Sequence, residues 1–234
     1  MLQFALMGEK IQPELLDVRQ LPEFVNGITR LCVNWHNEFD DLRGHKPSYH
    51  NRFHIKSALK SAWMLTNAAS HSDKQEDPFN LIDQLDRWNR FQQANDREPV
   101  SMDEFRHLTQ FAFACHDLGN IAETILAHSS FTKKEKEKYI ELVTHLINET
   151  SYEFNSPGER PLFALFMRIA YQIGSNYLSE KTQEEISNGL KQEFLEEWGE
   201  EKSYPRDFIS IRFPLLVPDE TMRRQIQKNL GVNT

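Results

Sequence analysis

Residues 101–120 read SMDEFRHLTQFAFACHDLGN, and their pattern sets the character of the whole chain. Ser101 followed three residues later by Glu104 is a capping box, in which each side chain bonds the other residue's backbone N–H at a helix start. Phe105, Leu108, Phe111, Ala112 and Cys115 then recur at three- and four-residue spacing, the period of a helix with a buried face. The run ends on His116 and Asp117. Gly119 and Asn120 follow, and both residue types favour the left-handed conformation that closes a helix. The stretch predicts an apolar helix carrying a polar His-Asp pair at its C-terminal end.

The same period extends outward in both directions. Leu21, Phe24, Val25, Ile28, Leu31, Cys32 and Trp35 predict a helix with Pro22 in its first turn, stopped by the polar region from Asp40 to Pro47. A second helix is expected from near Asn51 through Ile55, Leu59, Trp63 and Met64. Between His71 and Pro99, the residues Phe79, Leu81, Ile82, Leu85, Trp88 and Phe91 predict a short helix flanked by loops. Thr132 and Glu135 repeat the capping pattern, opening a helix whose inner side is Tyr139, Ile140, Leu142, Val143, Leu146 and Ile147. After a turn at Ser156-Pro157-Gly158, Pro161 suits the first turn of a helix through Leu165, Ile169 and Ile173. A further helix is expected from Lys181 to Trp198 and a terminal one from Pro218 to Leu230. The segment Ser203 to Pro218, with Ile209, Ile211 and Phe213 in alternation, reads as extended. The fold class is all-α. With no internal repeat and no clean linker, residues 1–234 are read as one domain.

Composition narrows the function classes. Hydrophobic residues make up 39% of the 234, enough for a sizeable core, and 26% are charged, too many for a membrane protein. The net charge of -8 argues against duplex nucleic acid as a main partner, because phosphate backbones are held by basic surfaces. A small phosphorylated ligand remains compatible, since a bound cation supplies local positive charge. Two cysteines far apart in sequence, Cys32 and Cys115, make no disulfide framework and suit a reducing compartment. The brief apolar stretch from Met1 to Met7 is interrupted by Gly8, Glu9 and Lys10, so neither a signal peptide nor a membrane span is expected, and the cytoplasm is the expected location.

A second stretch carries chemistry: Tyr49-His50-Asn51-Arg52-Phe53-His54. His50 and His54, four residues apart, share one face if both are helical. Two such imidazoles either bind one metal together, or one binds while the other moves protons. His116 and Asp117, being adjacent, diverge by about 100° on a regular helix. They still reach a common ion placed near the helix end. A mixed nitrogen and oxygen set suits zinc, iron, manganese, cobalt or nickel more than a thiolate-loving ion.

Together, Tyr49-His50-Asn51-x-x-His54 and the later His116-Asp117 resemble the signature of the HD superfamily of metal-dependent phosphohydrolases. The likeness is to the branch that includes cyclic-nucleotide phosphodiesterases and small bacterial HD proteins. It spans about residues 35–177. The resemblance implies an all-α bundle whose helices converge on a divalent metal ion, magnesium being a further possible identity. It also implies that His54, His116 and Asp117 are metal ligands and that His50 donates a proton to the leaving oxygen.

The family's fourth ligand is an aspartate on a late helix. The matching stretch here, Met167-Arg168-Ile169-Ala170-Tyr171-Gln172-Ile173, has none. Tyr171 stands at the corresponding place and offers a phenol, while the adjacent Gln172 offers a neutral carbonyl oxygen. Glu123, His128, His145, Glu149 and Glu153 are further candidates for contact with a metal or substrate, with solvated helix faces as their alternative role. The implied activity is hydrolysis of a phosphate mono- or diester, a nucleotide or related small metabolite. The missing carboxylate supports a second possibility, a catalytically degenerate module of the same fold that binds a ligand or protein partner.

Overall fold

The capping box at Ser101 forms: Glu104 N–H donates to Ser101 Oγ at 3.2 Å, and Ser101 N–H to Glu104 Oε2 at 2.8 Å. Such a cap stabilises a helix by about 1 kcal/mol. The pair at Thr132 and Glu135 closes the same way, with bonds of 3.3 and 2.8 Å. Both helix starts are therefore fixed by local chemistry.

The structure, a computed structural model, describes residues 11, 13–42, 52–71, 77–118, 120–150, 161–173, 188, 195 and 213–231. Among these, all regular structure is helical. In chain order the helices are α1 (Pro13–Leu16), α2 (Leu21–Leu42), α3 (Arg52–His71), α4 (Leu81–Ala94), α5 (Met102–Cys115), α6 (Ile121–His128), α7 (Lys133–Thr150), α8 (Ala164–Ile173), α9 (Phe213–Leu216) and α10 (Glu220–Asn229), with a 3-10 turn over His116–Leu118 between α5 and α6. No described helix is long and apolar enough to cross a membrane.

Helix α5 is the central element, packed against α2, α3 and α7. Its sequence explains why. From Phe111 to Cys115 five consecutive residues are buried, so this helix is apolar all round at its C-terminal end and is stable only with neighbours on every side. Phe24 of α2 meets Phe111 with ring centroids 5.8 Å apart. Glu104 ties α5 to α7, its Oε1 accepting from Lys138 Nζ and Tyr139 Oη, each at 2.8 Å. Burial alone would raise that carboxyl, but the bonds from Lys138, the Ser101 backbone and Tyr139 outweigh it and hold the group below its ordinary value. The two cysteines, Cys32 of α2 and Cys115 of α5, are free and fully buried, and the neighbouring Cys32 thiol together with burial pushes the Cys115 thiol well up.

Three expectations need correction. The helix after Pro161 begins a turn later, at Ala164. The reason is Phe163, fully buried with φ of 64°, a left-handed conformation that no helix interior accepts. Gln84 holds it there: its Oε1 accepts from Phe163 N–H, while its Nε2 donates to the Phe79 carbonyl at 2.7 Å. Phe213, expected in an extended segment, instead starts the short helix α9. The helix expected to be short between His71 and Pro99 is the fourteen-residue α4, which buries Leu81, Leu85 and Trp88 but leaves Phe91 58% exposed. The turn at Ser156-Pro157-Gly158, the stretch 203–212 and, apart from positions 188 and 195, the helix expected over residues 181–198 lie outside the described residues.

Candidate metal centre

His54 is the third residue of α3, and it is fully buried. His116 and Asp117 occupy the 3-10 turn that follows α5. Because α3 packs along α5, the two segments meet although sixty residues of chain separate them. One potential ligand atom from each of His54, His116 and Asp117 lies within 4.8 Å of the others. A cation with bonds of about 2.1 Å spans ligand atoms up to roughly 4.2 Å apart, so modest side-chain adjustment closes the set.

The tautomer of His116 is fixed by its surroundings. Nδ1 lies 2.7 Å from the Phe113 carbonyl, which only accepts, so Nδ1 carries the proton and donates it. In the neutral ring Nε2 is then a lone pair. It lies 3.1 Å from Asp117 Oδ2, without the geometry of a hydrogen bond. Two acceptors facing each other at that distance repel, and a positive charge, whether a proton on Nε2 or a metal ion, reverses the sign. An imidazole whose far nitrogen is pinned to a backbone carbonyl is also the usual support for a metal-ligating histidine. The negative end of the α5 dipole points at the same place. The donor set and its electrostatics fit a divalent cation.

Tyr171 of α8 completes the enclosure. Its ring stands edge-on to both imidazoles, with centroids 4.8 Å from His54 and 5.2 Å from His116. The two imidazoles are themselves 5.7 Å apart. Gln172, the alternative candidate, is engaged elsewhere: with its amide oriented to satisfy the network, its oxygen accepts from Arg168 Nε and Nη2, each at 2.9 Å. No family model, no curated protein and no solved structure matches this chain. The case for a metal here rests on the chain's own residues.

The remaining candidates are placed as follows. His50 and Glu153 lie outside the described residues. His128 is exposed, with Nδ1 donating to the Thr124 carbonyl at 2.8 Å. Glu123 is exposed on α6. His145 donates from Nε2 to the Leu162 carbonyl at 3.0 Å and packs on Trp88 at 4.9 Å. Neither His145 nor Glu149 joins the His54, His116 and Asp117 group.

Glu149, also a candidate for contact with metal or substrate, has an environment that gives it a different property. It is 7% exposed, and burial pushes its carboxyl up to about 7. Its Oε1 faces His145 Nδ1 at 3.8 Å, and burial holds that imidazole below its ordinary value. A carboxyl raised from 4.5 in the unfolded chain to about 7 in the fold costs stability as pH climbs through that window. The cost at pH 8 is up to about 3 kcal/mol. Glu149→Gln is therefore expected to stabilise the protein at pH 8 and to leave it nearly unchanged at pH 5. Urea unfolding of both proteins at the two pH values checks this, and an equal difference at both would contradict it. His145 contributes a slope of opposite sign, so the comparison must be between variant and parent.

Proposed function

We propose that this chain is an HD-type metal-dependent phosphohydrolase, with His54, His116 and Asp117 holding one divalent cation. The observation that carries the reading is the convergence of His54 with the His116–Asp117 pair from segments far apart in sequence. The resemblance of the Tyr49–His54 element to that superfamily supplies the reaction class.

When bound, such a cation supplies Lewis acidity, polarising a phosphoryl oxygen and easing the deprotonation of water. The protein's share is to present two neutral imidazole nitrogens and one carboxylate from a largely buried setting. The Phe113 carbonyl keeps the His116 lone pair turned toward Asp117. Asp117 supplies the negative charge that a dication requires. His50, by the resemblance, protonates the departing alkoxide or phosphate oxygen. The substrate class is a phosphate mono- or diester of nucleotide or metabolite size, acted on in the cytoplasm, and the acidic surface disfavours duplex nucleic acid.

One observation favours a second reading, a degenerate module that keeps the pocket and binds a ligand or partner. Tyr171 stands against both imidazoles where the resembling proteins carry an aspartate. A site with a single carboxylate holds a dication less firmly than one with two.

The test is a panel of phosphate mono- and diesters, including nucleotides, assayed with manganese, iron, zinc, cobalt, nickel or magnesium added to the metal-stripped chain. Metal-stimulated phosphate release, abolished by a chelator, is the result expected. Metal binding without turnover on any ester would shift the assignment to the degenerate module.

A further inference from the structure

His145 and Glu149 stand four residues apart on α7, so their side chains project from one face of the helix. The far side of the imidazole is already committed. Its Nε2 donates to the Leu162 carbonyl at 3.0 Å, so Nδ1 carries the lone pair. Burial disfavours protonation of this ring, which keeps that lone pair available. Trp88 packs on the imidazole with centroids 4.9 Å apart, and Phe163 stands edge-on to it at 6.1 Å, so the ring is held in place. Its Nδ1 faces Glu149 Oε1 across 3.8 Å.

That separation is too long for a proton shared in a hydrogen bond, which needs about 2.5–3.2 Å. It lies inside the roughly 4.2 Å that two bonds of about 2.1 Å span around a metal ion. The carboxyl group brings an independent sign of a ligand. Glu149 is 7% exposed, and its Oε2 is buried with no hydrogen-bond partner. Leaving a buried acceptor unpaired costs about 1–3 kcal/mol, and most are satisfied. No arginine neutralises it either: Arg168 of α8 donates to the Thr150 carbonyl at 2.7 Å, and its other nitrogens go to Gln172. The pair is reached from outside, since His145 keeps 25% of its side chain exposed and lines a depression between α4, α6 and α7. No lysine or arginine lines that depression.

We propose that His145 and Glu149 form a second cation site, separate from His54, His116 and Asp117, that takes a divalent transition metal, zinc above all. An imidazole nitrogen and a carboxylate oxygen from positions i and i+4 of a helix suit zinc, and water completes its four bonds. The ion offsets the negative charge that burial penalises on Glu149. Two protein ligands hold an ion less firmly than three, so this site fills after the first.

Zinc calorimetry on the full-length Asp117→Asn variant, which disables the first site, tests the proposal. One saturable zinc per chain is expected. Adding Glu149→Gln should weaken that zinc by at least about tenfold with the helical circular dichroism unchanged, because a neutral amide replaces the carboxylate. X-ray absorption on zinc-loaded Asp117→Asn should show one imidazole nitrogen in the shell. Absence of saturable zinc, a shell without imidazole, or an affinity indifferent to Glu149→Gln would overturn the proposal, the last by marking adventitious binding at an exposed side chain such as His128. Every arm carries Asp117→Asn, so failure of the first metal centre would leave these results unchanged.

Discussion

Tyr171→Asp is expected to raise the affinity for a divalent cation by at least about tenfold, since carboxylate count is a main determinant of affinity for dications. Tyr171 stands edge-on to His54 and His116, with ring centroids 4.8 and 5.2 Å away, so a residue at this position faces both imidazoles. A phenol is protonated near neutral pH and makes a poor ligand, whereas a carboxylate adds charge as well as a donor. The cost falls on the metal-free protein. Two carboxylates in one enclosed place repel, and the lost ring leaves a gap, so the metal-free variant should melt below its parent. Saturating manganese or zinc should then restore more stability than it gives the parent, as linkage requires. Isothermal titration and thermal melts with and without metal read both effects. An unchanged affinity would mean that position 171 does not face the ion.

Asp117→Asn should produce the opposite pair of changes. The substitution keeps the shape and removes the only carboxylate in the group, so metal affinity should fall by about a hundredfold or more, equivalent to about 2.7 kcal/mol. Metal-stimulated hydrolysis should fall to background with it. At a pH high enough for the imidazole to be neutral, the metal-free protein should nevertheless become slightly more stable. With the imidazole neutral, its Nε2 lone pair lies 3.1 Å from Asp117 Oδ2, one acceptor against another, whereas a protonated ring would form an ion pair there. An asparagine N–H in that place can donate to Nε2, a gain of about 0.5–1.5 kcal/mol. A residue retained for folding would lose stability on the same change. Chemical denaturation in chelator, paired with metal titration, separates the two roles, and a destabilised metal-free variant would count against the site.

Much of this was legible in the sequence where the signal is local. Ser101 with Glu104 and Thr132 with Glu135 announce two helix starts, because the capping chemistry lies within four residues. The burial of Phe105, Leu108, Phe111, Ala112 and Cys115 follows from their spacing. What stayed hidden depends on packing between distant elements. Spacing alone does not place His54 beside His116, since that contact arises only when α3 lies along α5. Which of Tyr171 and Gln172 lies against the two imidazoles likewise depends on partners on other residues. Arg168 engages one, and the two imidazoles receive the other.

Phe163 is the clearest case of tertiary override. Nothing in its neighbours' identities predicts a fully buried phenylalanine at positive φ, and the reason lies seventy-nine residues away in Gln84. Phe91 shows that an apolar residue within a helix need not be buried. The buried face of α4 runs through Leu81, Leu85, Trp88 and Gln92, and the Phe91 ring, just outside it, is exposed. The raised carboxyl of Glu149 is also a product of packing, since burial alone causes it.

The central claim is that His54, His116 and Asp117 share one cation. X-ray absorption at the metal edge, on metal-loaded protein and on its His54→Ala variant, tests this most directly. The account predicts about one ion per chain in the parent, with two imidazole nitrogens and at least one carboxylate oxygen in its shell, and loss of that ion from the variant. A parent that retains no metal, or an ion whose shell is the same in both proteins, would contradict it.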